Sequence, residues 1–216
     1  MKTQQEYYAA VAATYDLQYE RPEVEEDLEE LHDALSELLN GHKVLELACG
    51  SGYWTEVIAN VAESVRAIDN SPQMLAAAAE RGLDEDFVQF TEGDAFNLPA
   101  DIVPGEYTAC FAAGLWSQVP RSSQDKYLAH LRLKLGKEVL LILLDNNYVE
   151  GYSEPIARTD LDGNSFHILT DTKGERYEVA QSYPSDSWLR KRLSGAAKEV
   201  RVERLEHYWL ATCRLK

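Results

Sequence analysis

At 216 residues with 45% apolar content, the chain is long enough to bury one full core and reads as a single domain, 1–216. Its 21 Lys and Arg against 37 Asp and Glu leave a net charge of −16, which repels a polyanion over most of the surface and argues against a nucleic-acid partner; only Arg190-Lys191-Arg192 forms a short basic cluster. No window has the apolar length to span a membrane, the first residues lack a secretion signal's apolar stretch, and Cys49, Cys110 and Cys213 form no Cys-x-x-Cys pair, so neither a metal site nor a disulfide framework is expected and the compartment is expected to be cytoplasmic. Residues 4–19 read as a Tyr- and Ala-rich helical opening. Pro22 then begins an amphipathic helix with Val24, Leu28, Leu31, Leu35, Leu38 and Leu39 on one face. Glu23, Glu25, Glu26 and Asp27 in its first turns complement the helix dipole, and Asn40-Gly41 stops it, so residues 1–40 supply N-terminal helices. Strands are expected at 43–47, 64–69, 87–91, 107–112 and 138–144, alternating with helices at 54–61, 71–81 and 122–135, the pattern of a parallel sheet covered on both faces. Residues 139–144 are apolar throughout, as a strand buried on both faces requires. Within an inserted, lid-like segment at 146–183, residues 164–169 and 175–180 read as a hairpin around Thr170-Asp171-Thr172-Lys173-Gly174. The runs 199–205 and 208–215 should pair antiparallel. The fold class is therefore α/β: a three-layer sandwich around a mostly parallel seven-stranded sheet that ends in an antiparallel C-terminal hairpin, with an inserted β-hairpin after the fifth strand.

Three strand ends carry the chemistry. The first, Glu46-Leu47-Ala48-Cys49-Gly50-Ser51-Gly52, is a glycine turn between strand and helix, where a ligand can approach a backbone without side chains and meet the free N–H groups of the helix start. Glu46 would receive a cationic or hydrogen-bond-donating group, and the amino-acid end of S-adenosylmethionine offers an ammonium beside a carboxylate. The second is Ile68-Asp69-Asn70-Ser71-Pro72-Gln73-Met74, with Ser71 as N-cap and Pro72 at the first helical position. Asp69, about 20 residues past the glycine turn, is placed to accept both hydroxyls of a ribose, and Met74 to pack on an adenine. The third is Gly93-Asp94-Ala95-Phe96, where Asp94 can accept from the adenine amino group and Phe96 can line the ring. The same residues taken singly are also consistent with a tight βα turn, a turn aspartate and a core methionine.

Together these stretches resemble the class I, Rossmann-like S-adenosylmethionine-dependent methyltransferases, over roughly residues 5–145 and the last two strands. The family's first motif is Glu/Asp-x-Gly-x-Gly-x-Gly, and Ala48 stands at the first glycine. The family's sheet ends in an antiparallel hairpin, whereas a nicotinamide-binding domain would continue in parallel strands. The resemblance implies S-adenosylmethionine as cofactor, S-adenosylhomocysteine as product, and a pocket built from Tyr15, Glu46, Ala48, Cys49, Gly50, Gly52, Asp69, Asn70, Met74, Asp94, Ala95, Phe96 and Ala112. Tyr7, Tyr8 and Tyr15 resemble positions that close over the cofactor, with packing of the N-terminal helix as their other role.

Methyl transfer is an in-line displacement that asks mainly for alignment and exclusion of water, which explains strong cofactor motifs without a catalytic triad. The fourth strand leaves through the small residues Ala112-Ala113-Gly114, giving the methionine portion room to pass. Trp116, Asn146 and His167 are the candidates on the acceptor side: Trp116 as a wall or as plain packing, Asn146 as a hydrogen-bonding group or strand cap, and His167 as a base or a structural histidine. The insertion follows the fifth strand, where open α/β sheets bind ligands, so it can cover the pocket or form a dimer arm. The expected activity is methyl transfer to a small-molecule acceptor, with no membrane partner and a homodimer as a possible assembly. Two alternatives use the same fold: a non-catalytic cofactor-binding module for regulation or assembly, and a protein-directed methyltransferase, which needs an open groove above Trp116 and Asn146.

Overall fold

Leu28, Leu31, Leu35 and Leu39 recur at helical spacing and are all buried, which fixes the inward face of α2 (Glu25–Leu39) in the computed structural model, whose description covers residues 1–216. The chain runs α1 (Gln4–Val11), a 3-10 helix over Ala12–Gln18, a second short one over Pro22–Val24, then α2, β1 (Lys43–Leu47), α3 (Tyr53–Ala59), β2 (Ser64–Asp69), α4 (Pro72–Ala79), β3 (Val88–Glu92) and β4 (Ala109–Ala113). It continues with α5 (Gln124–Leu135), β5 (Leu140–Asn146), β6 (Ile156–Thr159), β7 (Ser165–Thr170), β8 (Arg176–Ala180), α6 (Asp186–Ala196), β9 (Ala197–Arg204) and β10 (Tyr208–Leu215). The principal sheet has the order β3-β2-β1-β4-β5-β10-β9, with β1 to β5 parallel and β10 antiparallel to both of its neighbours.

Alternate strand residues go to opposite faces, and each face has its own core. Leu45, Leu47, Cys110, Leu141 and Leu143 pack with Leu128 and Leu131 of α5 and Leu189 and Leu193 of α6. Val44, Ala67, Phe111, Ile142 and Leu144 pack with the leucines of α2 and with Trp54 and Ile58 of α3. That is the three-layer sandwich the alternation predicts. Ser71 caps α4 through its hydroxyl to the Met74 N–H at 3.3 Å, with Pro72 in the first turn, as its sequence requires.

Three features depart from the sequence reading. The helical opening is not continuous: α1 ends at Val11 and the chain tightens into a 3-10 helix that carries Tyr15 and Asp16. The insertion builds three strands rather than a hairpin, because β6, fully exposed, pairs antiparallel with β7 to extend the β7–β8 hairpin. Four exposed residues behind Pro155 carry no alternation that would mark a strand. Lastly, α6 stands where no element is expected, although Ser185 caps it on the Trp188 N–H and Leu189 and Leu193 are fully buried at i and i+4. The free cysteines all lie buried, and no helix is long and apolar enough to cross a membrane.

Candidate active site

A cavity of about 270 Å³ opens at the carboxyl ends of β1, β2 and β4. Its floor is the turn after β1, its far side the ends of β2 and β3, and its roof the N-terminal segment. Ala48 and Gly50 come from the turn, Asp69, Asn70 and Met74 from β2 and α4, and Gly93, Asp94, Ala95 and Phe96 from the loop after β3. Ala113, Gly114, Leu115 and Gln118 follow β4, while Gln4, Gln5, Tyr8 and Tyr15 descend from above.

Asp69 is the fixed point of this arrangement. One carboxylate oxygen accepts the Gly50 N–H at 2.9 Å and the other accepts the Ser71 N–H at 2.8 Å, so the side chain ties the glycine turn to the start of α4. Each oxygen keeps a lone pair for a further donor. Burial raises its pKa, and the two N–H donors act against that rise. A Cβ on Gly50, whose φ is +56°, would lie 3.7 Å from Tyr15 Cε1 and 4.0 Å from Met74 Sδ, both cavity-lining side chains, so glycine keeps the floor open. Gly52 serves a different purpose. A Cβ there would come within 3.1 Å of Ala78 Cβ and 3.2 Å of Arg81 Cδ, so its lack of a side chain admits α4 and Arg81 to the turn.

Of the thirteen expected cofactor residues, Tyr15, Ala48, Gly50, Asp69, Asn70, Met74, Asp94, Ala95 and Phe96 come together on the cavity; Glu46, Cys49, Gly52 and Ala112 do not line it. Glu46 is 1% exposed behind the turn, accepts the Thr55 hydroxyl at 2.6 Å, and has its carboxyl pushed up to about 8 by desolvation. Tyr8, expected to close over the cofactor, Gly93 of the third strand end, and Ala113 and Gly114 of the small-residue exit after β4 also line the cavity, and Gln4, Gln5, Leu115 and Gln118, for which the sequence gives no cofactor signal, complete it.

A small second cavity of about 30 Å³ shares Tyr15, Ala113 and Gly114 with the first and is otherwise lined by Gln18, Tyr19, Trp54, Leu144, Asp145, Asn146 and Tyr208. Asn146 therefore lies beside the site. Its neighbour Asp145, 2% exposed, accepts the Ser117 N–H and the Asn146 N–H at 2.8 Å each, and burial pushes its carboxyl up to about 6. Trp116 is buried in the core of the α5–α6 face and lines neither cavity. His167 is also buried away from both: Nδ1 pairs with the Pro155 carbonyl at 3.1 Å and Nε2 with the Tyr183 hydroxyl at 3.2 Å, which occupies both ring nitrogens.

A family model described as a methyltransferase domain matches residues 44–137. Among curated proteins, the ubiquinone biosynthesis O-methyltransferase of Pseudomonas aeruginosa is 29% identical over 113 residues, 50% of this chain and 47% of that protein. The match thus spans about half the length of that relative. Among solved structures, the DhpI–SAH complex superposes with a TM-score of 0.76 at 26% identity, covering 98% of this chain and 95% of the other. The DhpI–SAM–HEP complex gives the same TM-score and coverage at 27% identity. The PH0226 protein from Pyrococcus horikoshii OT3, at 16% identity and a TM-score of 0.70 over 91% of this chain and 92% of its own, shares the fold.

Proposed function

Because the chain belongs to the class I, Rossmann-like S-adenosylmethionine-dependent methyltransferases, we propose that it transfers a methyl group to a small molecule held in the cavity at the carboxyl edge of its sheet. S-adenosylmethionine supplies a methyl group already activated on a sulfonium. The observation that carries the small-molecule reading is the roof: Gln4, Gln5, Tyr8 and Tyr15 stand over the cavity as a wall, where a protein-directed enzyme needs an open groove. The ubiquinone pathway relative and DhpI, complexed with SAM and HEP, are consistent with a small acceptor.

In this reading the Asp69 carboxylate uses its remaining lone pairs for the ribose hydroxyls. Met74 and Phe96 flank the adenine, and Asp94 accepts from its amino group. Ala48 and Gly50 let the cofactor lie close to the backbone, and the small residues Ala113 and Gly114 leave room for its methionine arm. The acceptor lies toward Tyr15 and Asn146, where the second cavity adjoins the first. His167, with both ring nitrogens engaged, and Trp116, in the core, are left structural roles. The N-terminal helices and the 146–183 insertion act as parts of the single domain, the insertion backing the roof. Three buried, reduced cysteines suit a cytoplasmic enzyme.

Calorimetric titration with S-adenosylmethionine and, separately, NADH tests the cofactor site. Micromolar binding of the first with none of the second is expected. Asp69→Ala should weaken binding by about 1–3 kcal/mol, the loss of hydrogen bonds to a charged acceptor. Unchanged affinity would remove Asp69 from the site. Label transferred from S-adenosylmethionine into the low-molecular-weight fraction of a cell extract supports the small-molecule acceptor; label confined to protein overturns it.

A further inference from the structure

Arg81 follows α4 and is turned back onto the glycine turn. Its Nε donates to the Ser51 carbonyl at 2.7 Å, its Nη1 to Glu56 and its Nη2 to Asp16, while the Ser51 hydroxyl donates to the other oxygen of Asp16. Both carboxylate oxygens of Asp16 are therefore engaged by groups on or against the turn. Asp16 itself belongs to the 3-10 helix of the roof, next to Tyr15. The absence of a Cβ at Gly52 is what admits Arg81, whose Cδ and Nε would otherwise be met at 3.2 and 3.3 Å. The guanidinium is largely sheltered, with its side chain 15% exposed.

The roof's other contacts are neutral: the rings of Tyr7, Tyr8, Tyr15 and Tyr19 meet edge to face in succession, and Tyr19 stacks on Tyr53 with centroids 3.9 Å apart. No residue of α1 is buried, and the 3-10 helix buries only Ala12. A segment with so few fully buried residues, held largely by ring edges, lies toward the low end of local stability and opens more readily unless charged contacts hold it. Planar, charge-assisted pairing of guanidinium and carboxylate is the strongest such contact available, and here it joins the roof directly to the floor.

We propose that Asp16 and Arg81 form a latch: a pair of positioning residues that holds the N-terminal roof shut over the bound cofactor and thereby sets the rate at which S-adenosylhomocysteine leaves. The proposal rests on the cofactor placement given above. Neither residue lines the cavity. They act through Tyr15, which Asp16 holds against Gly50, and through the Ser51 carbonyl, which Arg81 holds in the turn. Opening the latch frees roof and turn together, so lid opening and loosening of the floor become one event.

The test follows S-adenosylhomocysteine dissociation by stopped flow, and hydrogen exchange of residues 1–20 with and without that ligand, in the wild type, Asp16→Asn and Ser51→Ala. Asp16→Asn is isosteric and removes the charge, and melting temperature checks that it folds. Roughly tenfold faster release is expected, as for loss of a charge-assisted pair, with a smaller increase in Ser51→Ala. Ligand-induced protection of residues 1–20 should fall in step, while the melting temperature without ligand changes little. Release and exchange that match the wild type in a folded Asp16→Asn variant overturn the latch but leave the cofactor site standing. A wild type that does not bind S-adenosylhomocysteine overturns the site reading itself, and the latch with it.

Discussion

Ala48 holds φ at +55°, in the left-handed region, where a Cβ crowds the following carbonyl oxygen. The neighbouring Cys49 N–H donates to the Ile68 carbonyl at 3.0 Å, so pairing to β2 fixes the turn and the residue cannot relax out of it. This is the physical reason a glycine suits that position, and the alanine is strained there. Ala48→Gly relieves about 1–2 kcal/mol of strain against about 0.5–1 kcal/mol of extra unfolded-state entropy. A net gain of about 0–1.5 kcal/mol is expected in denaturant unfolding, and a loss would show that Ala48 makes compensating contacts. The turn was legible because glycines and strand-end carboxylates are local signals. The separate duties of its glycines were not: Gly52 answers to Arg81 and Ala78, which reach it only once α4 has docked. Glu46 teaches the same lesson. Its place at the end of β1 was readable, but the Thr55 hydroxyl that turns it away from the cavity belongs to the following helix.

At the scale of elements, periodicity decided what could be read. Residues 139–144 and the leucines of α2 announce their partners, whereas α1 has no buried face and β6 has no alternation. Of these quiet elements, α1 belongs to the roof and β6 to the small sheet behind it. Gln4 accepts the Ala180 N–H at 2.9 Å and donates to Gln118, and Gln118 in turn donates to the Tyr8 hydroxyl at 3.0 Å and the Gly114 carbonyl at 2.7 Å. The Lys2 N–H donates to the Arg176 carbonyl and the Glu178 N–H donates to the Lys2 carbonyl, so the residue just ahead of α1 pairs with β8 through main-chain bonds. Tyr177 and Val179 of β8 are buried, yet they belong to neither core of the principal sheet. The small sheet is therefore a buttress for the roof. Replacing 155–181 by a short glycine-serine linker should leave one cooperative unfolding transition for the seven-stranded core and abolish exchange protection in residues 1–11. Retained protection there would mean that α1 is held by the cavity wall alone.

Over the whole molecule, charge acts at two depths. The net −16 lies largely on solvated faces such as the first turns of α2, while Glu46, Asp69 and Asp145 are carboxyls in the interior whose pKa values burial raises. For a raised carboxyl the native state keeps a proton that the unfolded chain releases. Its stabilising contribution is complete below the unfolded pKa and is lost as pH rises to the folded one. Asp145, moved from 3.8 to about 6, acts between those values; Glu46, moved from 4.5 to about 8, acts from about pH 4.5 to about pH 8 and is left as the larger contributor of the two above pH 6. His32 and His130, lowered by burial, work in the opposite sense, but only below their ordinary value of 6.5. Between pH 6.5 and 8 the slope therefore belongs mainly to Glu46, at roughly 1.4 kcal/mol lost per pH unit at most. Glu46→Gln keeps an acceptor for the Thr55 hydroxyl and carries no titrating proton. Thermal melts of the two proteins without cofactor should then diverge across this window, the wild type falling and the variant flat, so that the variant is the more stable at pH 8. Parallel curves would place the proton elsewhere, and would mean that Glu46 is ionised behind the turn at neutral pH.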